Sequence, residues 1–402
     1  MTQDIQKTLE TFFHHQTFRP NQQEIIQNVM NGRDVLVVMA TGSGKSLCYQ
    51  IPAMMLDGLT VVISPLISLM KDQVDHLSSQ GVHVETLNST QTFDEKAEIE
   101  RKLVTGLIKI IYVSPERAIT PQFINILSKC KISLFAIDEA HCISIWGHQF
   151  RPEYRKIKSL REKFKNIPVI ALTATATERV RDDIISELGM NTPKMYVGSF
   201  NRENLRYEAY NEPKEEIRIQ KIVSYIVAHP NDSTIIYCFS RKNCEKIADH
   251  LQKCHIMVQP YHAGMSTPKR NKIQEDFLND HIKVICATVA FGMGINKPNV
   301  RHIIHAHMPK DLESYYQETG RAGRDGKPST CILYYSAGDR AKISTILTKE
   351  FINLERLQIA KQKLESMYSY CITDECRRKV LLSYFDEGLP EPCNNCDICN
   401  PN

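Results

Sequence analysis

The stretch VLVVMATGSGKS, residues 35–46, decides the fold: an apolar run of strand character breaks into a turn with two glycines, a lysine and a serine. A glycine-bearing turn between a strand and a helix lets backbone N–H groups converge on phosphate oxygens, aided by the helix N-terminus. Gly42 and Gly44 permit that approach, Lys45 would neutralise terminal phosphates, and Ser46 could hold Mg²⁺. Thr41 and Ser43 complete the candidate phosphate loop, while Met39 stands where G-x-x-x-x-G-K-S has its leading glycine. Further on, DEAH (Asp138–His141) follows a second apolar run, LFAI. Asp138 at a strand end would hold magnesium through water, and Glu139 would orient or deprotonate an attacking water. By itself DEAH reads equally well as a solvated acidic loop. Behind a phosphate loop it marks hydrolysis of a nucleoside triphosphate.

The same rhythm extends outward. Between Ile25 and Gly198 the runs VLVVM, TVVIS, KIIYVS, LFAID and PVIALT alternate with helical stretches, the pattern of a mainly parallel sheet wrapped by helices. A polar stretch, Asn211–Glu216, lies near a boundary, and the rhythm restarts with STIIYCFS, VQPYHA, KVICAT, HIIHAH and CILYYS. Two tandem α/β units are expected, residues 1–206 and 207–338, followed by a helical, cysteine-rich segment, 339–402. A chain of 402 residues suits two or three domains, and 42% apolar residues suffice for their cores. The net charge of +4 leaves nucleic-acid binding to a local basic surface. No apolar run approaches a membrane span, and the polar N-terminus carries no signal-peptide core. Eight of thirteen cysteines are scattered through the α/β region as buried thiols of a reducing compartment are, so disulfides are not expected.

Upstream of the loop, FRPNQ (Phe18–Gln22) places Gln22 where an amide can donate to and accept from adenine's edge. It also reads as a helix entry, with Pro20 in the first turn and Asn21 as the cap. TATAT (Thr173–Thr177) reads as capping hydroxyls for the helix that follows.

FRPNQ, ATGSGKS, SPLISLMKDQ, DEAHCISIWGHQFRPEY, LTATAT, ATVAFGMGINKPNVR and YYQETGRAGRDG, in this order, resemble the RecQ-family DNA helicases of helicase superfamily 2. The resemblance covers essentially the whole chain, and Met39 fits the helicase form of the phosphate loop. It implies two RecA-like domains, the first binding ATP, ahead of a helical zinc-binding subdomain. Translocation 3′ to 5′ on single-stranded DNA, unwinding of tailed duplexes and a role in recombination and repair are also implied. His15 and Arg19 join Gln22 at the nucleotide base. His15 stands where the family has a stacking tyrosine, and its charge would make nucleotide affinity mildly pH-dependent.

YYQETGRAGRDG carries Gln317, Arg321 and Arg324 at spacings of four and seven, which on a helix share one face. Paired guanidinium groups suit a phosphate chain, although the charge pattern equally allows a solvated basic face. The resemblance makes Arg324 an arginine finger facing the nucleotide across an interdomain cleft, with Arg321 beside it and Thr288, Gly292 and Gly294 nearby. Trp146, the only tryptophan, lies close to Phe150 and Arg151. Aromatic faces stack on unpaired bases, though a lone tryptophan is more usually core. The resemblance makes this loop a sensor of single-stranded DNA coupled to Glu139, and adds strand contacts at Ser68, Lys71, Ser240, Arg241 and His262.

In the tail, Cys376 is followed by sixteen residues and then Cys393, Cys396 and Cys399. Thiolates at this spacing fit a closed tetrahedral Zn²⁺ site whose role is folding. An iron–sulfur cluster is the rival, weakened because no cysteine follows Cys399. Cys371 competes with Cys376 as the fourth ligand, and CRRKVLLSYF matches the family at Cys376.

The chain stops just after this tail, so the winged-helix and C-terminal helical modules common in relatives are expected to be missing, which bears on duplex affinity and unwinding. Asp386 replaces the glycine of the family's YFGE. The expected cofactors are ATP, Mg²⁺ and Zn²⁺. The expected partners are single-stranded and tailed duplex DNA with single-strand-binding and recombination proteins, and the favoured state is a monomer. The location is the cytoplasm at the nucleoid in a bacterium, or the nucleus in a eukaryote. Alternatives are a DNA-stimulated translocase too short to unwind, a strand-annealing protein whose ATPase regulates DNA affinity, an RNA helicase, and a purely structural zinc protein. The last gives no reason for Lys45, Glu139 and the arginine pair to coexist.

Overall fold

The computed structural model describes residues 2–65, 67–88, 91–289, 291 and 297–401. The chain divides into two compact units, Met1–Ser199 and Phe200–Asn402. In the first, β1 (Val35–Val38), β2 (Leu59–Ile63), β3 (Val84–Leu87), β4 (Ile110–Val113), β5 (Ile132–Ile137), β6 (Val169–Thr173) and β7 (Lys194–Val197) form one sheet. Its order is β3-β4-β2-β5-β6-β1-β7, and the paired strands run parallel. In the second, β8 (Leu205–Asn211), β9 (Ser233–Tyr237), β10 (Val258–Tyr261), β11 (Val284–Ala287), β12 (Val300–His305) and β13 (Ser329–Tyr335) form another sheet. Its order is β10-β11-β9-β12-β13-β8, again with parallel pairs.

Parallel strands covered by helices on both faces are buried along their whole length, which is why VLVV and VICA read as unbroken apolar runs. Ile25, Ile26 and Val29 of the helix Gln22–Met30 pack on the first sheet with Ile5 and Leu9 of the helix Thr2–Phe13. Ile219, Ile222 and Ile226 of the helix Glu215–Ala228 do the same on the second. Of the eight scattered cysteines, Cys48, Cys142, Cys238, Cys244, Cys286 and Cys331 are buried free thiols, whereas Cys130 is half-buried and Cys254 is exposed, so burial holds for six of them.

Strands β3, β7 and β8 were absent from the run pattern, and all three are sheet edges. An edge strand is covered on fewer sides, so VETL, KMYV and LRYEAYN mix polar with apolar residues. Because β8 is the edge partner of β13, the polar stretch Asn211–Glu216 is a connection inside the second unit. After β13 come the helices Ala337–Glu350, Leu354–Ile372 and Arg377–Tyr384, which belong to that same unit. Among the described residues no helix is long and apolar enough to cross a membrane.

Candidate nucleotide, strand and metal sites

The carboxyl ends of β1, β2, β5 and β6 open onto Met39, Ser64, Asp138 and Ala174, the end of a parallel sheet where ligands bind. Gly42 and Gly44 adopt φ of 81° and 82°, a region costly for any residue with a Cβ. A Cβ on Gly44 would also lie 2.6 Å from Gln22 Nε2. Lys45 Nζ donates to the carbonyls of Met39 at 2.8 Å and Ala40 at 3.2 Å, holding the ammonium over its own loop. Ser43 Oγ is buried without a hydrogen-bond partner, a polar atom left for a ligand. Ser46 precedes the helix Leu47–Met55 without capping it through its side chain, so its hydroxyl is not spent there. Thr41 is half-buried in the same turn.

Gln22 is 1% exposed and welded to this loop. Its Nε2 donates to the carbonyls of Gly44 at 3.0 Å and Ser43 at 3.3 Å, while its Oε1 accepts from Arg19 N–H at 2.8 Å. The Arg19 guanidinium bonds the Gly42 carbonyl. The capping expectation for Asn21 fails: it sits at φ 67° with no side-chain cap bond. His15 is exposed in the segment after the first helix.

Asp138 is anchored by its N–H to the Ile63 carbonyl, and its carboxylate accepts from Glu139 N–H at 3.0 Å and Ser64 Oγ at 3.3 Å. Burial pushes its carboxyl up, opposed by the Lys45 charge. Glu139 takes φ 49°, a strained conformation that turns its carboxylate toward His141, 3.3 Å away. His141 Nδ1 meets Thr173 Oγ1 at 2.9 Å, and Thr173 in turn bonds Thr175. The Thr173 hydroxyl therefore serves DEAH, and Thr177 makes no side-chain cap for the helix Glu178–Leu188. Sequence reasoning missed this link, because only folding brings residues 32 apart together.

Gly147 explains the shape of the next loop: a Cβ there would lie 2.1 Å from the His141 carbonyl oxygen. The close approach stacks His148 on His141 with centroids 4.2 Å apart. Trp146 is half-buried rather than core. Phe150 carries the Arg155 guanidinium at 5.3 Å, and Arg151 Nη1 donates to the Pro65 carbonyl at 3.2 Å. Lys71 is exposed on the helix Ile67–Ser79, and the Ser68 side chain lies outside the described residues, as do Gly292 and Gly294.

In the second unit Gln317 lies on the helix Leu312–Thr319, but the helix ends before the arginines. Arg321 and Arg324 therefore do not share its face. They sit on a turn through Gly323, whose φ is 54°. Arg202 braces this turn by donating to the Ala322 and Gly323 carbonyls at 3.0 and 2.9 Å. Burial, with Arg321 and Arg202 beside it, pushes the Arg324 guanidinium down to about 9, so an anion would relieve a crowded positive site. Ser240 caps the helix Arg241–Lys253 by accepting from Asn243 N–H at 3.1 Å, which gives its hydroxyl a structural use. Arg241 is exposed beside Gly264 and His262, and His262 Nε2 lies 3.2 Å from Glu245.

The Sγ atoms of Cys376, Cys393, Cys396 and Cys399 all lie within 4.8 Å of one another. A Zn–S length of about 2.3 Å implies tetrahedral sulfur separations of about 3.8 Å, and Cys393 and Cys399 are 4.0 Å apart. The donors fit one zinc ion and leave no room for a four-iron cluster. Cys371 is buried in the helix Leu354–Ile372 and is outside the group. The amides of Asn395 and Cys399 donate to Cys393 and Cys396 sulfur at 3.4 Å, favouring thiolates. This loop also covers the β8 edge. Cys396 bridges Tyr207, and Asp397 accepts from Ala209 N–H and from buried Arg377. Asp386, the departure from glycine, sits at φ 63°, a left-handed position that favours glycine.

Three family profiles match: DEAD/DEAH box helicase over residues 19–184, helicase conserved C-terminal domain over 217–326, and RecQ zinc-binding over 337–400. The chain is 47% identical to the ATP-dependent DNA helicase RecQ of Pasteurella multocida, over 97% of this chain and 61% of that protein. With the RecQ of Bacillus subtilis the identity is 43%, over 99% and 67%. With the Xenopus laevis RecQ-like helicase BLM it is 42%, over 98% and 30%. The chain thus spans about three fifths of the length of the first of these relatives. Among solved structures, the DEAD-box helicase Mss116 bound to single-stranded RNA has a TM-score of 0.71 at 16% identity, over 94% of this chain and 89% of that one. The helicase MrfA bound to DNA has 0.70 at 18% identity, over 90% and 56%. At such identities the likeness concerns the RecA-like fold.

Proposed function

The chain belongs to the RecQ family of helicases, and on that premise we propose that it is an ATP-dependent DNA helicase moving 3′ to 5′ along single strands and separating duplexes in recombination and repair. Gln22 and Arg19 read the base and, through their bonds to residues 42–44, carry its presence into the phosphate loop. Lys45, released from its own loop carbonyls, and the Ser43 hydroxyl bind the phosphates. Ser46 and Asp138 would hold Mg²⁺, which when bound supplies positive charge at the reacting phosphate. Glu139 positions the attacking water, and Gln317, Arg321 and Arg324 stabilise the charge that develops on the transferred group. Zn²⁺ on the four cysteines ties residues 376–399 to the β8 edge. The proposed subdivision keeps three parts, with the first boundary moved from 206 to 199 so that β8 stays whole: 1–199, 200–338 and 339–402.

One observation carries the coupling of hydrolysis to DNA. Glu139 contacts His141, and His141 both bonds Thr173 and stacks on His148 of the Trp146 loop. A base stacked on Trp146, or a phosphate on Arg151, would shift His148 and thereby the carboxylate. Strand separation on a 3′-tailed duplex, with a 5′-tailed control, tests the reading. Unwinding of the 3′-tailed substrate alone, abolished in Lys45→Ala, is expected. Intact ATPase with no unwinding of either substrate would leave a translocase, and strand annealing that survives in Lys45→Ala would leave an annealing protein.

A further inference from the structure

The single tryptophan is already stacked. The Arg179 guanidinium carbon lies 3.3 Å from the centroid of the Trp146 ring. Arg179 is the second residue of the helix Glu178–Leu188, which begins where LTATAT ends. Asp183 and Glu187 follow at intervals of four, so the three share one helix face. Each reaches the same loop. Asp183 Oδ2 accepts from Ser144 Oγ at 2.5 Å, and Ser144 Oγ accepts from the Trp146 N–H at 3.0 Å. Glu187 lies 3.7 Å from Arg155, whose guanidinium covers Phe150 at 5.3 Å and donates to the Ile143 carbonyl at 3.2 Å.

A nucleobase and a guanidinium seek the same aromatic face, and the face under Arg179 holds one of them at a time. Arg179 is exposed to solvent, so exchanging it for a base requires only a rotation of its side chain. The geometry points to Arg179 as an intramolecular competitor for the stacking face of Trp146, which with Asp183 and Glu187 latches the aromatic loop until single-stranded DNA displaces the guanidinium. This rests on the strand-binding reading of Trp146 given above. Arg179 is in these terms a positioning residue: it sets how readily the loop yields to a strand and touches no reacting atom.

The test uses the intact chain, its intrinsic tryptophan fluorescence, which reports Trp146 alone, and the anisotropy of a labelled oligo-dT. Removing an exposed cation–π contact should change the binding equilibrium by about two- to fivefold. Arg179→Ala should therefore tighten oligo-dT binding by that factor and change the fluorescence of the DNA-free protein. Arg179→Lys keeps the charge but lacks the planar stack, and should also tighten binding. A phosphate-contacting Arg179 would give the opposite pattern, with weaker binding in Arg179→Ala and near-normal binding in Arg179→Lys, and that result overturns the latch. Unchanged affinity in both variants overturns it equally. If the unmodified chain fails to bind oligo-dT, the strand-site reading itself falls. Binding by the unmodified chain without a gain in either variant sinks only the latch.

Discussion

Gly147→Ala probes the link between the DEAH turn and the aromatic loop. The added Cβ would meet the His141 carbonyl oxygen at 2.1 Å and the Ser144 carbonyl oxygen at 3.0 Å. Both are backbone atoms and cannot rotate aside. The short turn Ala140–Ile143 must retreat until the closer contact opens to about 3.0 Å. Overpacking of this kind costs about 1–3 kcal/mol of stability. It also separates His148 from His141 and drags His141 from Thr173 and Glu139. A misplacement of about 1 Å at a catalytic group can cost on the order of 100-fold in rate. DNA-stimulated ATP hydrolysis should therefore fall by about 10- to 100-fold. Nucleotide binding should stay close to wild type, because Lys45 and Gln22 are held by residues 39–44 and not by this turn. Steady-state hydrolysis with and without oligo-dT, a nucleotide titration and a thermal melt measure the three quantities. Full DNA stimulation at an unchanged melting temperature would refute the reasoning.

Cys396→Ser, or stripping of zinc with a chelator, should cost about 4 kcal/mol or more by releasing the cover of β8, read as a lowered melting temperature with loss of bound zinc. Asp386→Gly should stabilise the chain by about 0.5–1 kcal/mol, the left-handed penalty at φ 63° less glycine's larger unfolded freedom, measured by urea denaturation. Burial pushes the His307 imidazole down to about 4, among Asp339, Arg218, Glu215 and Lys342. The unfolded chain then binds more protons at this site, so stability should fall as pH drops from about 6.5 to about 4, and His307→Gln should flatten that limb in urea melts.

Much of the molecule is legible in its residues. Unbroken apolar runs announce the interior strands because parallel strands bury both faces; of the edges, whose residues are mixed, β3, β7 and β8 escape notice and β10 is marked by VQPYHA. Gly42, Lys45 and Asp138 stand at strand ends as their motifs require, since the turn chemistry is local. The match of CRRKVLLSYF already favours Cys376 over Cys371, and the fold gathers the sulfur atoms of Cys376, Cys393, Cys396 and Cys399 with Cys371 outside the group. The arginine pair shows the limit of periodicity: the helix stops at Thr319, and a glycine turn carries Arg321 and Arg324 instead.

What the sequence by itself determined is the α/β class, the nucleotide loop, the acidic motif and the cysteine ligands, because each is written in residues close along the chain or in repeating patterns. What only tertiary structure decided is which of these talk to each other. His141 reaches Thr173, Gln22 reaches Gly44, Arg179 reaches Trp146 and Cys396 reaches Tyr207. Those contacts join segments whose separation along the chain carries no period or composition to mark them. His141 and Arg179 make theirs because packing parallel strands side by side collects their carboxyl ends and the turns that follow. Gln22 comes from the helix ahead of β1, and Cys396 meets Tyr207 along the open edge of β8.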